Sequence, residues 1–299
     1  MNAQDIENLE QSILLGGADL SKLRKSAPLK TAEDIRRDWL LERIGKFTAS
    51  EFHRLTTAPT KDVLPVGAIT YATEKVVEVL TEFIDDGGYV SDAMQWGIDN
   101  EVKAIAEFEK RTGFAVTRTG TRQEFIAMGD SIGGTPDGLI GNQSGVEVKC
   151  PKSVTHFKYL AINNGDDLKR IAQEYYWQVQ GLMMLAGCSH WYFISYDPRY
   201  KKDSDKLHSV LINANEEDQE FLIKRLKQAM ELKGELLASR GADSRATLSQ
   251  ASTLKLLKIG RTKLWKLRKE NKFPEPINQN PLEWRLSDIE EFAITSTKH

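Results

Sequence analysis

Cysteine is scarce in this chain. Two of its 299 residues are cysteines, Cys150 and Cys188, and neither belongs to a CxxC pair. The 5 histidines are scattered and form no set with the spacing of zinc ligands. A disulfide framework and a structural zinc site are therefore both disfavoured as the basis of the fold, and two unpaired cysteines are typical of a reducing compartment.

Long apolar runs are absent as well. No segment approaches the ~18–20 apolar residues that a membrane-spanning helix needs, and the first residues lack the basic-then-apolar pattern of a signal peptide. With 40% hydrophobic and 28% charged residues, the composition is that of an ordinary globular protein. We expect a cytoplasmic protein without membrane contact, long enough for one large and one small domain.

No charge of one sign dominates the whole chain, but the two signs are divided unevenly. Residues 245–299 carry 11 Lys and Arg against 6 Asp and Glu, whereas residues 1–244 carry 30 against 37. A basic tail is the part of the chain that duplex DNA would attract. Residues 238–246 are mostly small and polar, so we predict a linker there, between a first domain over residues 1–237 and a second over residues 247–299.

The most informative segment, residues 133–150, reads GGTPDGLIGNQSGVEVKC. Its end alternates apolar and charged side chains, which predicts a strand with Glu147 and Lys149 on one face and the intervening apolar residues on the other. Upstream, Pro136-Asp137-Gly138 predicts a sharp turn at the end of a strand. The segment therefore places a second carboxylate beside Glu147.

Two carboxylates at such a place suit a hard divalent cation, because Mg²⁺ keeps several waters and takes few protein ligands. We predict Asp137, Glu147 and the main-chain carbonyl of Val148 as metal ligands, and Lys149 as the group that orients or deprotonates the attacking water. Alone, the Glu-x-Lys pair is more typical of an ion pair on a solvated strand face, and Asp-Gly of an ordinary hairpin turn. Their combination favours metal-dependent cleavage of phosphodiesters.

Two polar residues are expected on apolar helix faces. Glu101 falls on the inward face of a helix predicted over residues 96–112, and Gln178 on the apolar face of a helix predicted over residues 167–186. An inward glutamate needs a partner. A buried glutamine in isolation is more often a structural hydrogen-bonding group.

Five motifs follow one another along the chain and carry a family resemblance. Together they resemble the phage lambda exonuclease (YqaJ viral recombinase) branch of the PD-(D/E)xK nucleases over residues 37–235. The motifs are Arg43-Ile-Gly-Lys-Phe-Thr-Ala-Ser50-Glu, Trp96-Gly-x-x-x-Glu101, Pro136-Asp-Gly with Glu147-x-Lys-Cys-Pro151, Tyr175-x-x-Gln178-Val-Gln180, and Trp191-Tyr-Phe-x-x-Tyr-Asp-Pro-Arg199.

The resemblance implies a restriction-endonuclease-like α/β core, with a mixed central sheet flanked by helices. It implies a 5′→3′ exonuclease that uses two Mg²⁺ ions, or Mn²⁺ in their place, and leaves 3′ single-stranded overhangs at duplex DNA ends for phage-type recombination. Asp137 and Glu147 would be metal ligands, Lys149 the water-activating lysine, and Glu101 with Gln178 the supporting groups around the second metal ion and the nucleophile. A ring-shaped homotrimer and a single-strand annealing recombinase as partner are also implied.

Substrate contacts follow from the same resemblance. Arg43 and Ser50 match positions that grip the 5′-terminal phosphate, and Met94 matches an apolar wedge that separates the strands. Thr135 stands where the family has serine, so the hydroxyl is kept. From the residues alone, Arg43 also suits a surface salt bridge, and Met94 simple packing. Beyond Pro151 the sequences diverge, and the residue that meets the terminal phosphate stays open among Lys152, Ser153, Thr155 and His156.

The basic tail has the order helix, turn, helix, hairpin and helix. With Gly260-Arg-Thr-Lys-Leu-Trp and Trp284-Arg-Leu-Ser-Asp-Ile-Glu-Glu-Phe, it resembles the winged helix-turn-helix of excisionases and prophage regulators. In the helix predicted over residues 261–271, Leu264, Leu267 and Trp265 are expected to face inward. The residues expected to meet DNA are Arg261, Thr262, Lys263, Lys266 and Lys269. A basic helix that only keeps the chain soluble is the alternative.

Two other functions remain compatible with the sequence. One is an endonuclease that the C-terminal domain directs to a site. The other is a DNA-binding regulator with an inactive nuclease fold. The intact Asp137, Glu147 and Lys149 argue against the regulator, because costly buried charges would be lost early by drift.

Overall fold

The computed structural model describes residues 31–58, 60, 62–85, 91–240, 247–279 and 281–296. The chain divides into two compact units, residues 1–41 and residues 42–299. The described part of the first unit is mainly one helix, α1 (Ala32–Leu41). The second unit contains all the strands described below. It includes the first predicted domain from residue 42 onward and the whole of the second predicted domain.

Two sheets lie within residues 42–240 of the second unit, which were predicted to belong to a nuclease domain and are called the nuclease part below. A small sheet has the order β1-β3-β2, in which β1 and β3 are parallel and β2 and β3 antiparallel. A larger sheet has the order β4-β5-β6-β7, with β5 and β6 parallel and the outer pairs antiparallel. The family resemblance predicts one mixed central sheet; the mixed strand arrangement is confirmed, but in the described residues it is divided between two sheets. The strands are β1 (Phe47–Thr48), β2 (Ile126–Met128), β3 (Ile132–Gly134), β4 (Gly138–Ile140), β5 (Ser144–Lys149), β6 (His190–Tyr196) and β7 (Leu207–Asn213).

Helices flank these sheets. None of the helices in the described part of the chain combines the length and hydropathy needed to cross a bilayer. The helices of this part are α2 (Val66–Thr81), α3 (Asp92–Thr112), α4 (Ser153–Tyr159), α5 (Gly165–Ile171), α6 (Gln173–Ala186), α7 (Asp203–Lys206) and α8 (Glu216–Ser239), with 3-10 turns at Ala49–Leu55 and Gly120–Arg122.

Helix α6 lies at the centre of the main apolar core. Its residues 176–185 are all buried. Gly181 lets the Ala49–Leu55 turn approach α6 closely, because a Cβ at this position would lie 2.4 Å from the Phe52 ring of that turn. A second, smaller core joins α3 to the apolar face of β5 through Val146 and Val148. Helix α3 is therefore held directly against the strand that carries Glu147 and Lys149.

Three local predictions need correction. The single helix predicted over residues 167–186 is two, because the chain leaves helical geometry at Ala172 (φ −145°, ψ 65°), where no proline or glycine signals a break. Helix α3 begins at Asp92, where the Ser91 side chain caps it. Asp137 lies in a bend between β3 and β4, and the hairpin after β4 turns at Gly141 (φ +57°).

The C-terminal module, residues 247–296, has its own small core. Leu264, Phe273, Trp284 and Ile289 pack together, and Trp284 Nε1 donates to the Pro274 carbonyl at 2.9 Å. Its strands form an antiparallel sheet in the order β8-β10-β9. The elements are β8 (Thr247–Ser249), α9 (Gln250–Leu256), α10 (Arg261–Lys269), β9 (Asn278–Gln279), β10 (Leu282–Arg285) and α11 (Leu286–Ser296).

Helix α11 packs on the nuclease part. Ile294 is fully buried and belongs to the main apolar core. On the surface beside it, Lys227 of α8 pairs with Glu291 at 2.9 Å. Helix α8 continues to Ser239, and residues 241–246 of the predicted linker lie outside the described residues. The C-terminal module therefore contacts the nuclease part through both apolar and polar side chains.

Candidate active site

Strand β5 brings Glu147 and Lys149 to one face, as the alternation of the sequence predicts. The Glu147 side chain is fully buried, and its Oε1 lies 2.5 Å from Lys149 Nζ. The Lys149 ammonium also lies 4.6 Å from the centre of the Tyr175 ring on α6. An aromatic face attracts a cation, so the ring helps to hold the ammonium in place.

Asp137 reaches the same place from the bend before β4. Its Oδ2 accepts the Val148 N–H at 2.7 Å. Gly138, the next residue, lets Val116 pack closely against β4, because a Cβ there would lie 2.4 Å from Val116 Cγ1. Pairing of β4 with β5, with Gly138 opposite Val146, then sets Asp137 beside Glu147.

Helix α3 supplies a third carboxylate. Gln123 Nε2 donates to Glu101 Oε1 at 3.0 Å and lies 3.5 Å from Asp137 Oδ1, so one amide bridges the two acids. No sequence pattern indicates Gln123, which follows the 3-10 turn Gly120–Arg122 and belongs to none of the five motifs. Two carboxylates that would repel one another share a neutral donor here.

Burial and mutual repulsion perturb all three acids. Burial, with repulsion from Asp137, raises the pKa of Glu147 to about 8 and that of Glu101 to about 7. Burial also raises the pKa of Asp137. Burial by itself lowers the pKa of Lys149, but Glu147 and Asp137 outweigh it and raise the pKa above its ordinary value. In this arrangement Lys149 is an ammonium ion and a hydrogen-bond donor.

The site fits a divalent cation. Both carboxylate oxygens of Glu147 are buried; Oε1 meets the Lys149 ammonium, whereas Oε2 receives no hydrogen bond from the described residues. A buried carboxylate in that condition is costly unless a cation approaches it, and Lys149 accounts for one side only. Within the described ranges, no three Asp, Glu, His or Cys side chains form a ready-made ligand group. Asp137 and Glu147 would therefore supply two of few protein ligands, which is the mode that Mg²⁺ favours.

A second cluster lies two residues upstream of Asp137. The Arg43 guanidinium donates a short hydrogen bond to Thr135 Oγ1 and lies 4.7 Å from the centre of the Phe125 ring. Arg43 is only 8% exposed, so its side chain is buried and not at the surface. Burial lowers the pKa of Arg43 to about 10. The structure thus brings Arg43, assigned to the terminal phosphate, together with Thr135, predicted as a DNA contact.

The family is shown by a domain match. Residues 38–189 match the YqaJ-like viral recombinase domain, and they make up half of the chain. The chain belongs to this family. It is an enzyme, a nuclease, as the five motifs predict.

Solved structures agree with this assignment. LHK-Exo, an alkaline exonuclease from Laribacter hongkongensis, is 26% identical with a TM-score of 0.57, over 70% of this chain and 99% of that chain. Its complex with dAMP is 27% identical with a TM-score of 0.56 over the same shares. A phage-related exonuclease from Haemophilus somnus 129PT shares the fold, at 17% identity and a TM-score of 0.53, over 65% of this chain and 96% of that one. No curated protein matches the sequence.

The fifth motif of this YqaJ-family nuclease holds other motifs together. Arg199 pairs with the fully buried Asp197 at 2.7 Å, lies 4.5 Å from the centre of the Trp96 ring, and donates to the Pro151 carbonyl at 3.2 Å. The start of α3 and the end of β5 are thereby fixed to one loop. Arg199 is part of the fifth motif, but the motif alone does not predict any of these contacts.

The remaining predicted groups are placed as follows. Gln178 lies in the buried length of α6, one turn beyond Tyr175, whereas Gln180 exchanges hydrogen bonds with Asn213 and Asn215 and is structural. Ser50 is exposed, with its Oγ 3.4 Å from Thr48 Oγ1. Met94 is 56% exposed in the first turn of α3.

His156 is unsuited to a phosphate contact. It is fully buried, with Nδ1 2.7 Å from Ser195 Oγ and Nε2 2.8 Å from the Asp205 carbonyl oxygen. Both ring nitrogens are occupied within the fold. Of the four residues left open after Pro151, Lys152 is the exposed cation.

In the C-terminal module, α10 presents a basic face. Leu264 faces inward as predicted, but Trp265 was expected inward and is 62% exposed. Its ring lies 4.9 Å from Lys269 Nζ, and the small core of the module is already filled by Phe273 and Trp284. The residues predicted to meet DNA are all exposed, namely Arg261, Thr262, Lys263, Lys266 and Lys269.

Proposed function

We propose that this nuclease is a Mg²⁺-dependent 5′→3′ exonuclease of duplex DNA ends that leaves 3′ single strands for phage-type recombination. The buried group of Asp137, Glu147 and Lys149 carries the proposal, because two acids and a lysine, with one oxygen of Glu147 still without a donor, are the parts of a PD-(D/E)xK phosphodiesterase site. Likeness to LHK-Exo, an alkaline exonuclease, supports exonuclease activity.

The chain's own groups divide the chemistry among them. Asp137, Glu147 and the Val148 carbonyl would hold one Mg²⁺ ion, and Glu101 with Gln178 would support a second, with Mn²⁺ able to take their place. When bound, the metal lowers the pKa of a water and neutralises charge on the scissile phosphate. Lys149, 2.5 Å from Glu147 Oε1, would orient or deprotonate the attacking water. Gln123 and Gln178 would help to position the carboxylates around Lys149.

End recognition is assigned to the Arg43 cluster. A guanidinium removed from water binds a phosphate more strongly than an exposed one, because the local dielectric is low. Arg43 and Thr135 already share a hydrogen bond and together offer donors to a 5′-terminal phosphate, with Ser50 nearby in sequence. Met94, exposed at the start of α3, would separate the strands. Arg43 and Thr135 are called the 5′-phosphate clasp below. An enzyme that holds the 5′-terminal phosphate in this way would begin cleavage at the 5′ end.

The C-terminal module is proposed to be a winged helix-turn-helix. Helices α9 and α10 with their short turn, and the β9-β10 hairpin as the wing, have the required order. The exposed basic residues of α10 would contact duplex DNA. The module would thus hold the duplex while the nuclease part degrades one strand.

Assembly as a homotrimer is proposed from the family resemblance, together with a single-strand annealing recombinase as partner. Exposed apolar side chains on α3 and α4 support an interface with other copies. They are Ile98, Val102, Val154 and Phe157, each at least 59% exposed.

The deciding experiment is a time course with Mg²⁺ on three forms of one duplex: linear with 5′-phosphates, linear with 5′-hydroxyls, and covalently closed circular. We expect rapid loss of the 5′-phosphorylated strand, slower loss of the hydroxyl form and an intact circle. Cutting of the circle would establish the endonuclease instead. An inert enzyme with either Mg²⁺ or Mn²⁺ would establish the regulator, and Glu147→Gln serves as the inactive control.

A further inference from the structure

The C-terminal module inserts one buried carboxylate into the nuclease part. Glu290 of α11 is 6% exposed. Its Oε1 accepts the Asp130 N–H at 2.9 Å, and both oxygens lie 3.0 Å from the Ser131 hydroxyl that donates to them. A buried carboxylate persists only with such partners, because its desolvation is costly.

The backbone at Gly129 leaves room for the Glu290 side chain. Gly129 adopts a positive φ of +65°, and a Cβ there would lie 3.0 Å from Glu290 Cγ. One turn further along α11, Ile294 is fully buried in the main core. The contact is therefore specific in shape as well as in charge.

A buried lysine completes the arrangement. Lys233 of α8 is 9% exposed and donates to the Gly45 carbonyl at 2.6 Å. Burial raises the pKa of Glu290 and Lys233 opposes that rise, so the two charges act on one another. Gly45 is also held through its N–H, which donates to Glu78 Oε2 at 2.9 Å, and Lys75 in turn pairs with Glu78 at 2.6 Å.

These contacts hold the two chain segments that carry the 5′-phosphate clasp. Gly45 lies two residues after Arg43, and Ser131 opens the strand that leads directly to Thr135. The same two segments are joined where the Phe47 N–H donates to the Ser131 carbonyl at 2.7 Å, at the start of the β1-β3 pairing. Lys233 thus holds the segment that carries Arg43, and Glu290 holds the segment that carries Thr135.

We propose that Glu290 is a positioning residue for recognition of the 5′-phosphorylated end. With Lys233, it fixes the relative position of Arg43 and Thr135, so the C-terminal module takes part in end selection through its docking contact. The inference rests on the proposed function, in which Arg43 and Thr135 bind the terminal phosphate.

The test compares initial rates on 5′-phosphorylated and 5′-hydroxyl linear duplexes for the full-length protein. Glu290→Ala is compared with Glu291→Ala, the adjacent residue of α11, whose partner Lys227 is at the surface. We expect Glu290→Ala to lower the phosphate-to-hydroxyl rate ratio by roughly tenfold, the scale of one misaligned charged hydrogen bond, with the hydroxyl rate nearly unchanged. Glu291→Ala should leave both rates as they are, because exposed pairs contribute little.

Two milder variants keep the test decisive if Glu290→Ala folds poorly. Ser131→Ala removes one hydrogen-bond donor to Glu290 and should also lower the phosphate-to-hydroxyl rate ratio. Glu290→Gln keeps an acceptor and should retain most of the ratio of the unaltered protein. An unchanged ratio in Ser131→Ala, or equal loss on both ends in Glu290→Ala, would overturn the inference. If the unaltered enzyme itself cuts both ends equally, the clasp of the proposed function fails instead.

Discussion

Among single residues, Glu147 depends most on its neighbours. Its carboxylate is fully buried and close to Lys149, while Asp137 and Glu101 add negative charge nearby. Removing one member of such a group leaves the others without compensation. Substitutions here should therefore affect chemistry far more than DNA binding.

Asp137→Ala and Lys149→Ala should each abolish cleavage, by roughly a hundredfold or more, because each removes a charge that acts at the reacting phosphate or water. Duplex binding measured in Ca²⁺ should survive. Asp99→Ala, an exposed residue of α3, is the matched control. Residual activity above a few per cent in Asp137→Ala would contradict the metal-ligand assignment.

Arg43→Ala should selectively slow cutting of 5′-phosphorylated ends, because the buried guanidinium then no longer meets its target. A reduction of roughly tenfold in the rate on phosphorylated ends is expected, with processivity reduced as well. Arg170→Ala, at a surface pair with Asp167, is the control. Equal reductions on phosphorylated and hydroxyl ends would contradict a 5′-phosphate clasp.

At the scale of elements, the site is assembled from a strand, a helix and a bend. Strand β5 supplies Glu147, α3 supplies Glu101, and the bend before β4 supplies Asp137. Periodicity predicts the first two, because side chains alternate on a strand and recur every three to four residues on a helix. The approach of the three elements is set by packing of Val146 and Val148 against α3.

The same assembly predicts a pH dependence for the metal-free protein. The folded pKa values of Glu101 and Glu147, about 7 and about 8, lie above their ordinary values. The folded chain therefore holds protons that the unfolded chain has released, so the stability contribution is complete below about pH 4 and is lost as the pH rises toward 8. Melting temperatures in a chelator should fall over this range.

Two controls make that measurement specific. Glu147→Gln should flatten the fall in melting temperature, because it removes one of the shifted groups, whereas Glu291→Gln should leave it unchanged. Added Mg²⁺ should stabilise the protein more at pH 8 than at pH 6, since metal binding and protonation compete for the same carboxylates. A melting temperature independent of pH would contradict the raised pKa values.

For the whole molecule, the polar stretch near residue 240 predicts a detachable tail, and the structure changes what its removal would do. Ile294 lies in the main core and Glu290 is buried against the nuclease part, so deleting residues 245–299 would expose apolar surface and remove one of the acids that face Lys233. We expect the truncated nuclease to be destabilised. DNA binding by the tail is better tested by substitution on its surface.

Replacing Lys263, Lys266 and Lys269 with glutamine should weaken duplex binding and flatten its salt dependence. For every phosphate that the protein no longer neutralises, the slope of log affinity against log salt should decrease by about 0.9. The equivalent change at Lys110, Lys201 and Lys202, exposed on the nuclease part, is the control. If the α10 variant keeps its affinity and slope, the module does not anchor DNA in general, and a protein partner becomes the better assignment.

The sequence by itself determined the family, the nuclease class and the local faces of the site. Motif order and short-range periodicity depend on residues within a few positions of each other, so Glu147, Lys149 and Glu101 could be predicted from backbone geometry alone. Roles at the metal and the DNA stay predictions.

Only the tertiary structure decided which distant residues meet. Arg43 and Thr135 are 92 residues apart, and Ser131 and Glu290 are 159 apart, and no local pattern links such pairs. The same holds for Gln123 between two acids, for the break at Ala172 and for the exposed Trp265. Each of these depends on how helices and sheets pack in space, because the burial and charge around a side chain come mainly from elements far away along the chain.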